Sequence, residues 1–172
     1  MSSLGDQIGI GIIGCGKISQ AYFDGAKTFQ VLNIVACADL NEAAAQVKAE
    51  GNDCEALTIA KLLAHAEIQL VINLTIPAAH AAVTRDILKA GKHAYCEKPL
   101  TVEVEDARDL LVLAKSKDLL IGCAPDTFFG AGIQTCREIV DSGEIGPITS
   151  GTAFMLSAGP ESWHPNPGFY YL

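Results

Sequence analysis

The chain has 172 residues with 12 basic and 20 acidic side chains, giving a formal net charge of −8, and 49% of its residues are hydrophobic. This apolar content excludes a disordered chain, and a chain of this length buries roughly 70% of its unfolded surface without disulfide staples. The acidic balance argues against a nucleic-acid partner and against binding to anionic membranes, since both require basic surfaces.

No run of about 18 apolar residues is present, and residues 1–7 lack a basic segment followed by an apolar core. We therefore expect no membrane span, no secretory signal and a cytoplasmic location. No two cysteines are closer than 13 residues, which excludes CxxC metal or redox pairs. No metal site is predicted, and the cysteines are expected to be reduced thiols. They are Cys15, Cys37, Cys54, Cys96, Cys123 and Cys136.

Short apolar runs alternate with helical stretches through residue 123, and this alternation predicts an α/β fold with a doubly wound parallel sheet covered on both faces. Strands are predicted at 8–13, 33–38, 54–57, 70–74, 93–96 and 119–123. Helices are predicted at about 18–27, 41–50, 58–65 and 78–90, and after Thr101 as their cap. Gly51 is expected to end the second helix. The apolar stripe of the last helix is predicted at Val104, Ala107, Leu111 and Ala114.

The composition changes beyond this region, and no Lys or Arg follows Ile145. A helix is predicted at 131–142, with Ile133, Cys136 and Val140 facing inward. A strand is predicted at Ile148–Leu156 from its β-favouring residues. This strand would present an edge without protecting charges, so we expect self-association into a homo-oligomer.

A glycine-rich turn spans residues 11–19, with the sequence GIIGCGKIS, and joins the first strand to the first helix. Gly14 permits the tight turn, and Gly16 lets the backbone approach a pyrophosphate at the positive end of the helix. The third position of the motif is usually Gly or Ala. Here it is Ser19, which is still small enough for close helix–strand packing. In this strand–helix context the turn predicts a dinucleotide site.

Asp39 lies at the end of the second predicted strand, 20 residues after Ser19. A carboxylate at this position accepts hydrogen bonds from the adenosine ribose hydroxyls and repels a 2′-phosphate. No Arg follows, since the next residues are Leu40 and Asn41, so NAD is favoured over NADP. The alternative role for Asp39 is that of an N-terminal carboxylate on the following helix. Methyltransferases and flavoproteins share this turn and acid, so the fold alone does not choose between them.

Two further segments follow predicted strands at the carboxyl edge, where ligands bind in open α/β sheets. Residues 75–80 read TIPAAH, and residues 91–100 read GKHAYCEKPL. Together with the glycine-rich turn and GEIGPI at 143–148, they resemble the Gfo/Idh/MocA oxidoreductases in order and spacing. The resemblance covers essentially the whole chain, and its most specific element is Glu97-Lys98-Pro99.

The resemblance implies hydride transfer between a nicotinamide cofactor and the CH–OH group of a small hydroxylated substrate such as a sugar or polyol. By the same resemblance, Lys98 contacts the reacting hydroxyl and helps to move its proton, and Glu97 lies near the nicotinamide ribose. His80 is expected to hold its loop as a structural histidine. Trp163 and His164 are expected either to reach the substrate pocket or to form an ordered proline-rich connection. The expected cofactor-binding residues are Gly14, Gly16, Lys17, Ile18, Asp39, Leu40, Thr75, Ile76, Pro77, His80, Glu97 and Lys98.

The resemblance implies a continuation into an α/β substrate domain, and we expect roughly 100–150 residues or more of that domain to be missing here. We expect a dinucleotide-binding Rossmann domain over residues 1–124 and the incomplete beginning of a C-terminal substrate and oligomerisation domain over 125–172. Such a fragment would bind cofactor but turn over poorly or not at all. The alternatives are a non-catalytic NAD(P)-binding sensor or partner-binding module and, more weakly, a methyltransferase-like nucleotide binder.

Overall fold

Six parallel strands form the sheet of this computed structural model, which describes residues 7–162 and 167–168. The strands are β1 (Ile8–Ile13), β2 (Leu32–Ala38), β3 (Glu55–Ala56), β4 (Leu70–Asn73), β5 (His93–Cys96) and β6 (Ile121–Cys123). They are hydrogen-bonded in the order β3-β2-β1-β4-β5-β6. The order reverses beside β1, as in the doubly wound Rossmann fold. The predicted fold class of this sheet is confirmed.

Five helices connect the strands and a sixth follows them, and three of the six begin with recognisable local signals. The six helices are α1 (Ser19–Ala26), α2 (Glu42–Asn52), α3 (Ile59–Ala64), α4 (Pro77–Lys89), α5 (Val104–Ser116) and α6 (Ala131–Asp141). The Asn41 side chain accepts a hydrogen bond from the Ala44 N–H, and the Thr58 hydroxyl accepts one from the Lys61 N–H. These N-caps satisfy amide groups that have no partner within the helix. Pro77, which needs no such partner, is the first residue of α4.

Two apolar clusters cover the two faces of the sheet. On one face α3, α4 and α5 pack Leu62, Ile87 and Leu110 against the strands. On the other face α1 and α2 pack Phe23 and Ala45 against alternate strand residues. Full burial of each large apolar side chain contributes about 1.5–3 kcal/mol. The two layers hold the carboxyl ends of the strands in register at one edge of the sheet.

Three details of the helices differ from the sequence predictions. α2 runs through Gly51 and ends at Asp53, which adopts a left-handed φ of 54°. The N-cap of α5 is Glu103, and the Thr101 hydroxyl instead donates to the Glu103 carbonyl. Leu110 is fully buried on α5, whereas Leu111 is 53% exposed. The run of apolar residues at 110–114 contains two overlapping stripes, and the direction from which α5 meets the sheet selects one of them. Val104 also lies outside the buried stripe.

The chain divides into two compact units, Met1–Asp126 and Thr127–Leu172. In the second unit α6 is amphipathic, but Ile133, Cys136 and Val140 are exposed, contrary to prediction. A helix face is buried only when a second layer covers it, and the described part of this unit contains, besides α6, only short 3₁₀ segments at 127–129, 160–162 and 167–168. Residues 148–156 form no strand, because no neighbouring strand in the described residues pairs with their backbone. The exposed strand edge is therefore absent, and the homo-oligomer stays a prediction.

Among the described residues, no helix combines the length and the apolar character needed to cross a bilayer.

Candidate functional site

The glycine-rich turn is held between the ends of β2 and β4. Gly14 has a φ of +104°, and its N–H donates a 2.9 Å hydrogen bond to the Ala38 carbonyl. A Cβ atom at Gly14 would lie 2.6 Å from the carbonyl carbon and oxygen of Leu74. Both the backbone angle and this contact require glycine. At Gly14 the turn therefore packs directly against the backbone at the ends of β2 and β4, with no room for a side chain.

Gly16 is the open part of the same turn. A Cβ atom there would meet nothing within 4 Å. Ser19, the first residue of α1, is fully buried, and its hydroxyl donates a 2.7 Å hydrogen bond to the Gly16 carbonyl. Lys17 and Ile18 lie between them with exposed side chains. An open backbone at a helix N-terminus suits a pyrophosphate, so the residues present fit a dinucleotide.

Asp39 links the glycine-rich turn to the segment before α2. Its Oδ2 atom accepts a 2.7 Å hydrogen bond from the Cys15 N–H, and its Oδ1 atom accepts a 2.8 Å hydrogen bond from the Asn41 N–H. Leu40 beside it is 92% exposed. Asn41, and not Asp39, is the N-cap of α2. Each carboxylate oxygen keeps a further lone pair that can accept a ligand hydroxyl.

A buried polar network supports the loop after β4. Asn73 is fully buried, and its Oδ1 atom accepts hydrogen bonds from the Thr75 N–H at 3.2 Å and the Thr75 hydroxyl at 2.7 Å. Its Nδ2 atom donates to the His80 carbonyl and to the Thr84 hydroxyl. Sequence reasoning missed Asn73, although a polar residue that ends a buried apolar strand was a usable signal. Because every polar group of Asn73 is satisfied, this network stabilises one loop conformation.

His80 joins the loop after β4 to the loop after β5. It is 1% exposed, with Nε2 2.9 Å from the Thr75 carbonyl oxygen and Nδ1 2.5 Å from the Pro99 carbonyl oxygen. Both ring nitrogens therefore face backbone carbonyl oxygens, so the ring connects the two loops. Ile76, the N-cap of α4, is exposed, and Pro77, the first residue of α4, is half-buried.

Glu97 and Lys98 follow β5 at the same edge. The Glu97 carboxylate accepts hydrogen bonds from the Tyr22 hydroxyl at 2.8 Å and from the Lys98 N–H at 2.9 Å. The Glu97 N–H in turn donates to the Asn73 carbonyl at 2.9 Å. Burial of Tyr22 and its hydrogen bond to Glu97 raise the pKa of this phenol above its ordinary value. Tyr22 was missed in the sequence because it lies on α1, far along the chain from Glu97.

An open pocket of about 630 Å³ in the first unit lies beside these two residues. Its walls include Tyr22 and Tyr95, whose ring centroids are 6.5 Å apart, together with Glu97 and Lys98. Most of its lining is apolar, and the charged residues that line it are Glu97, Lys98 and Asp126. Such a combination suits a flat organic ring that carries a few polar substituents.

The structure brings most of the predicted site residues to one edge of the sheet, at the ends of β1, β2, β4 and β5. Trp163 and His164 lie outside the described residues. Within residues 7–162 and 167–168, no group of three or more His, Cys, Asp or Glu side chains is arranged to hold a metal ion.

Comparison with known proteins identifies one matching family model and several similar proteins. A family model described as "Oxidoreductase family, NAD-binding Rossmann fold" matches residues 8–124. An uncharacterized oxidoreductase of Schizosaccharomyces pombe is 31% identical over 144 residues, which cover 78% of this chain and 39% of that protein. A dTDP-3,4-didehydro-2,6-dideoxy-alpha-D-glucose 3-reductase of Saccharopolyspora spinosa is 33% identical over 150 residues, or 84% of this chain and 44% of the reductase.

A solved structure shares the fold. The crystal structure of a putative myo-inositol dehydrogenase from Sinorhizobium meliloti 1021 superimposes with a TM-score of 0.75 at 28% sequence identity. The match covers 81% of this chain and 43% of the dehydrogenase. The chain thus spans about two fifths of the length of the proteins it matches.

Proposed function

Because the chain belongs to the Gfo/Idh/MocA oxidoreductase family, we propose that it is the cofactor-binding part of an enzyme that transfers a hydride between NAD and the CH–OH group of a sugar or polyol. The observation that carries this proposal is the 2.8 Å hydrogen bond between Tyr22 and Glu97. It connects α1, which begins at the glycine-rich turn, to the Glu97-Lys98 pair. This supports a proposed nucleotide site and a proposed catalytic lysine at one edge of the sheet.

Binding of the dinucleotide involves three places along this edge. The backbone at Gly16 and the N-terminus of α1 would hold the pyrophosphate. The second lone pairs of Asp39 would accept hydrogen bonds from the ribose hydroxyls of the adenosine half. A 2′-phosphate would place negative charge against this carboxylate, and Leu40 beside it offers no positive charge. The proposed cofactor is therefore NAD rather than NADP.

The chemistry is assigned to the loop after β5. When bound, the nicotinamide ring supplies the hydride acceptor or donor. Lys98 would hold the reacting hydroxyl of the substrate and take up or release its proton at the Nζ atom. Glu97, fixed by Tyr22, would position the adjacent backbone and face the nicotinamide ribose. The apolar walls of the pocket would exclude water from the ring.

The substrate-binding residues are proposed to lie in the substrate domain that residues 125–172 begin. The related proteins extend well beyond the matched region, and the chain alone is proposed to bind cofactor with little or no turnover. The relatives named for a sugar reductase and an inositol dehydrogenase support a hydroxylated substrate.

A fluorescence titration of the purified chain with NADH, run in parallel with NADPH, tests the proposal. We expect saturable binding with NADH preferred. Gly16→Ala should weaken binding at least about tenfold, equivalent to 1.4 kcal/mol, because its methyl group enters the space assigned to the pyrophosphate. The matched control is Gly51→Ala, another open glycine position but remote from the site. Absence of binding by a cooperatively folded chain would remove the cofactor assignment.

A further inference from the structure

Three cysteines from separate parts of the first unit meet beneath the glycine-rich turn. Cys15 belongs to the turn and is 5% exposed, Cys37 lies on β2 and is fully buried, and Cys54 lies just before β3 and is partly exposed. Cys15 and Cys37 belong to the same apolar cluster on one face of the sheet, and Cys54 packs against that cluster. Cys37 lies on β2, which pairs with β3 directly after Cys54. We call these three residues the cysteine triad, and Cys37 is its central member.

The surroundings of the triad favour thiol chemistry over metal binding. The Cys15 Sγ atom lies 3.6 Å from the Ala38 carbonyl oxygen, and the Cys37 Sγ atom lies 3.4 Å from the Ala45 carbonyl oxygen. All three residues are free thiols. In the part of the chain that the structure describes, no cysteine-containing group has the arrangement of a metal site. Adjacent free thiols without a metal can be converted to a disulfide.

The members of the triad differ in access and in acidity. Cys54 is reachable from solvent, while Cys15 and Cys37 are buried. The neighbouring Cys37 side chain lowers the pKa of Cys54 and also that of Cys15. The two neighbouring thiols and burial raise the pKa of Cys37. Since the thiolate is the nucleophile, the partly exposed Cys54 is the member best placed to react first.

We propose that the cysteine triad is an oxidative modification site, at which hydrogen peroxide oxidises Cys54 and Cys37 then closes a disulfide with it. In the first step the Cys54 sulfur attacks one peroxide oxygen. An S–O bond forms, the O–O bond breaks, and water leaves after the hydroxide takes up a proton. In the second step the Cys37 sulfur attacks the sulfenic sulfur of Cys54. An S–S bond forms, the S–O bond breaks, and the Cys37 proton leaves with the hydroxide as water.

The disulfide would change the support of the glycine-rich turn. Movement of the Cys37 sulfur toward Cys54 would change its packing beside Cys15 in the same cluster, and the Cys15 N–H binds Asp39. We expect NADH affinity to fall severalfold in the oxidised chain. This one expectation rests on the proposed function, whereas formation of the disulfide does not. A chain that forms the disulfide and binds no NADH in either state would contradict the proposed function alone.

Peptide mapping tests the proposal directly. The chain is treated with excess hydrogen peroxide and then unfolded in guanidinium, where its remaining thiols are alkylated, and it is digested and analysed by mass spectrometry without reduction. We expect a cross-linked peptide pair containing Cys37 and Cys54. Cys96 and Cys123 are internal controls that should escape oxidation and be recovered as alkylated thiols, because burial raises the pKa of Cys96 to about 12 and also raises that of Cys123.

Two serine variants separate the triad from general cysteine oxidation. Cys54→Ser should abolish the cross-linked pair, while the matched control Cys136→Ser, at an exposed position on α6, should leave it unchanged. The proposal is overturned if Cys37 and Cys54 are both recovered as alkylated thiols when Cys136 is oxidised. It is also overturned if the disulfide joins only Cys15 and Cys37.

A kinetic measurement on the unmodified chain serves if Cys54→Ser does not fold. Native chain is treated with iodoacetamide, and each cysteine is followed by mass spectrometry. Cys54 should be alkylated at least about tenfold faster than Cys96, the ratio that one unit of pKa difference produces in the thiolate fraction. Alkylation of Cys54 at the rate of Cys96 or more slowly would overturn its role as the first site of oxidation.

Discussion

The Nδ1 atom of His80 lies 2.5 Å from the carbonyl oxygen of Pro99, directly after the Glu97-Lys98 pair. The other ring nitrogen faces Thr75, so one buried ring spans the loops after β4 and β5. His80→Ala should therefore lower the free energy of unfolding by about 1–3 kcal/mol, the usual cost of leaving a buried polar group without a partner. Urea denaturation measures this change. His65→Ala, at a half-buried histidine remote from these loops, is the control, and an equal loss in the two variants would contradict the bridging role.

Gly9 on β1 has no room for a side chain. A Cβ atom there would lie 1.8 Å from the Glu67 carbonyl oxygen, a backbone atom that cannot move aside. Gly9→Ala should lower the free energy of unfolding by about 3 kcal/mol through overpacking. Gly25→Ala in α1 meets nothing within 4 Å and should instead stabilise the chain by about 0.5–1 kcal/mol. Thermal and urea unfolding of both variants check the prediction, which fails if the two substitutions have the same sign.

Tyr22 predicts a dependence of stability on alkaline pH. Its pKa is raised in the folded chain, first by burial and then by its hydrogen bond to Glu97, from an ordinary value of 10.0. Above about pH 10 the unfolded state loses this proton while the folded state retains it. The contribution of Tyr22 to the free energy of unfolding is therefore complete below pH 10. As the pH rises above 10, this free energy falls by at most 1.4 kcal/mol per pH unit.

Tyr22→Phe isolates this effect, because it removes the titrating hydroxyl and keeps the ring. The difference in unfolding free energy between the unmodified chain and Tyr22→Phe should be constant between pH 7 and 9 and should move in favour of Tyr22→Phe above pH 10. Urea denaturation across this range measures it. A difference that stays constant through pH 11 would show that the phenol has the same pKa in both states.

Asp39 should decide between the two dinucleotides. Asp39→Asn removes the negative charge while its amide oxygen can still accept one of the two backbone hydrogen bonds. Affinity for NADPH relative to NADH should then rise about tenfold, which corresponds to 1.4 kcal/mol. Fluorescence titrations with both cofactors give the ratio. The control is Asp53→Asn, at the C-cap of α2 away from the turn. A similar rise in the affinity ratio for this variant would show that the change depends on net charge alone.

The regular part of the fold was predictable because its signals are local. The bounds of β1 and β5 match their apolar runs residue for residue, and Asn41 and Thr58 mark helix starts through their own side chains. At α5, local signals did not suffice, because two apolar stripes overlap and only the approach of the sheet selects Leu110. The segment 148–156 shows the same limit more strongly, since strand-favouring residues form a strand only where a partner strand is present.

The sequence predicted which residues of the candidate site lie at strand ends, but it did not predict the residues that support them by hydrogen bonds. Parallel strands bring their carboxyl ends to one edge, so Gly14, Asp39 and Lys98 were expected there together. Tyr22 and Asn73 were not foreseen, because each acts through a hydrogen bond to a residue distant in the chain or buried in the network. Such pairs depend on three-dimensional packing, which the order of residues alone does not express.

The central position of β1 has a consequence for biosynthesis. Its partners on one side, β2 and then β3, are complete once residue 56 has been translated, whereas β4 on its other side begins at residue 70. A nascent chain can therefore close half of the sheet while the other edge of β1 waits for its partner. During that interval the unpaired edge is open to other nascent strands. Residues 57–73 thus span the interval in which β1 lacks a partner on that side, a state that the finished sheet no longer shows.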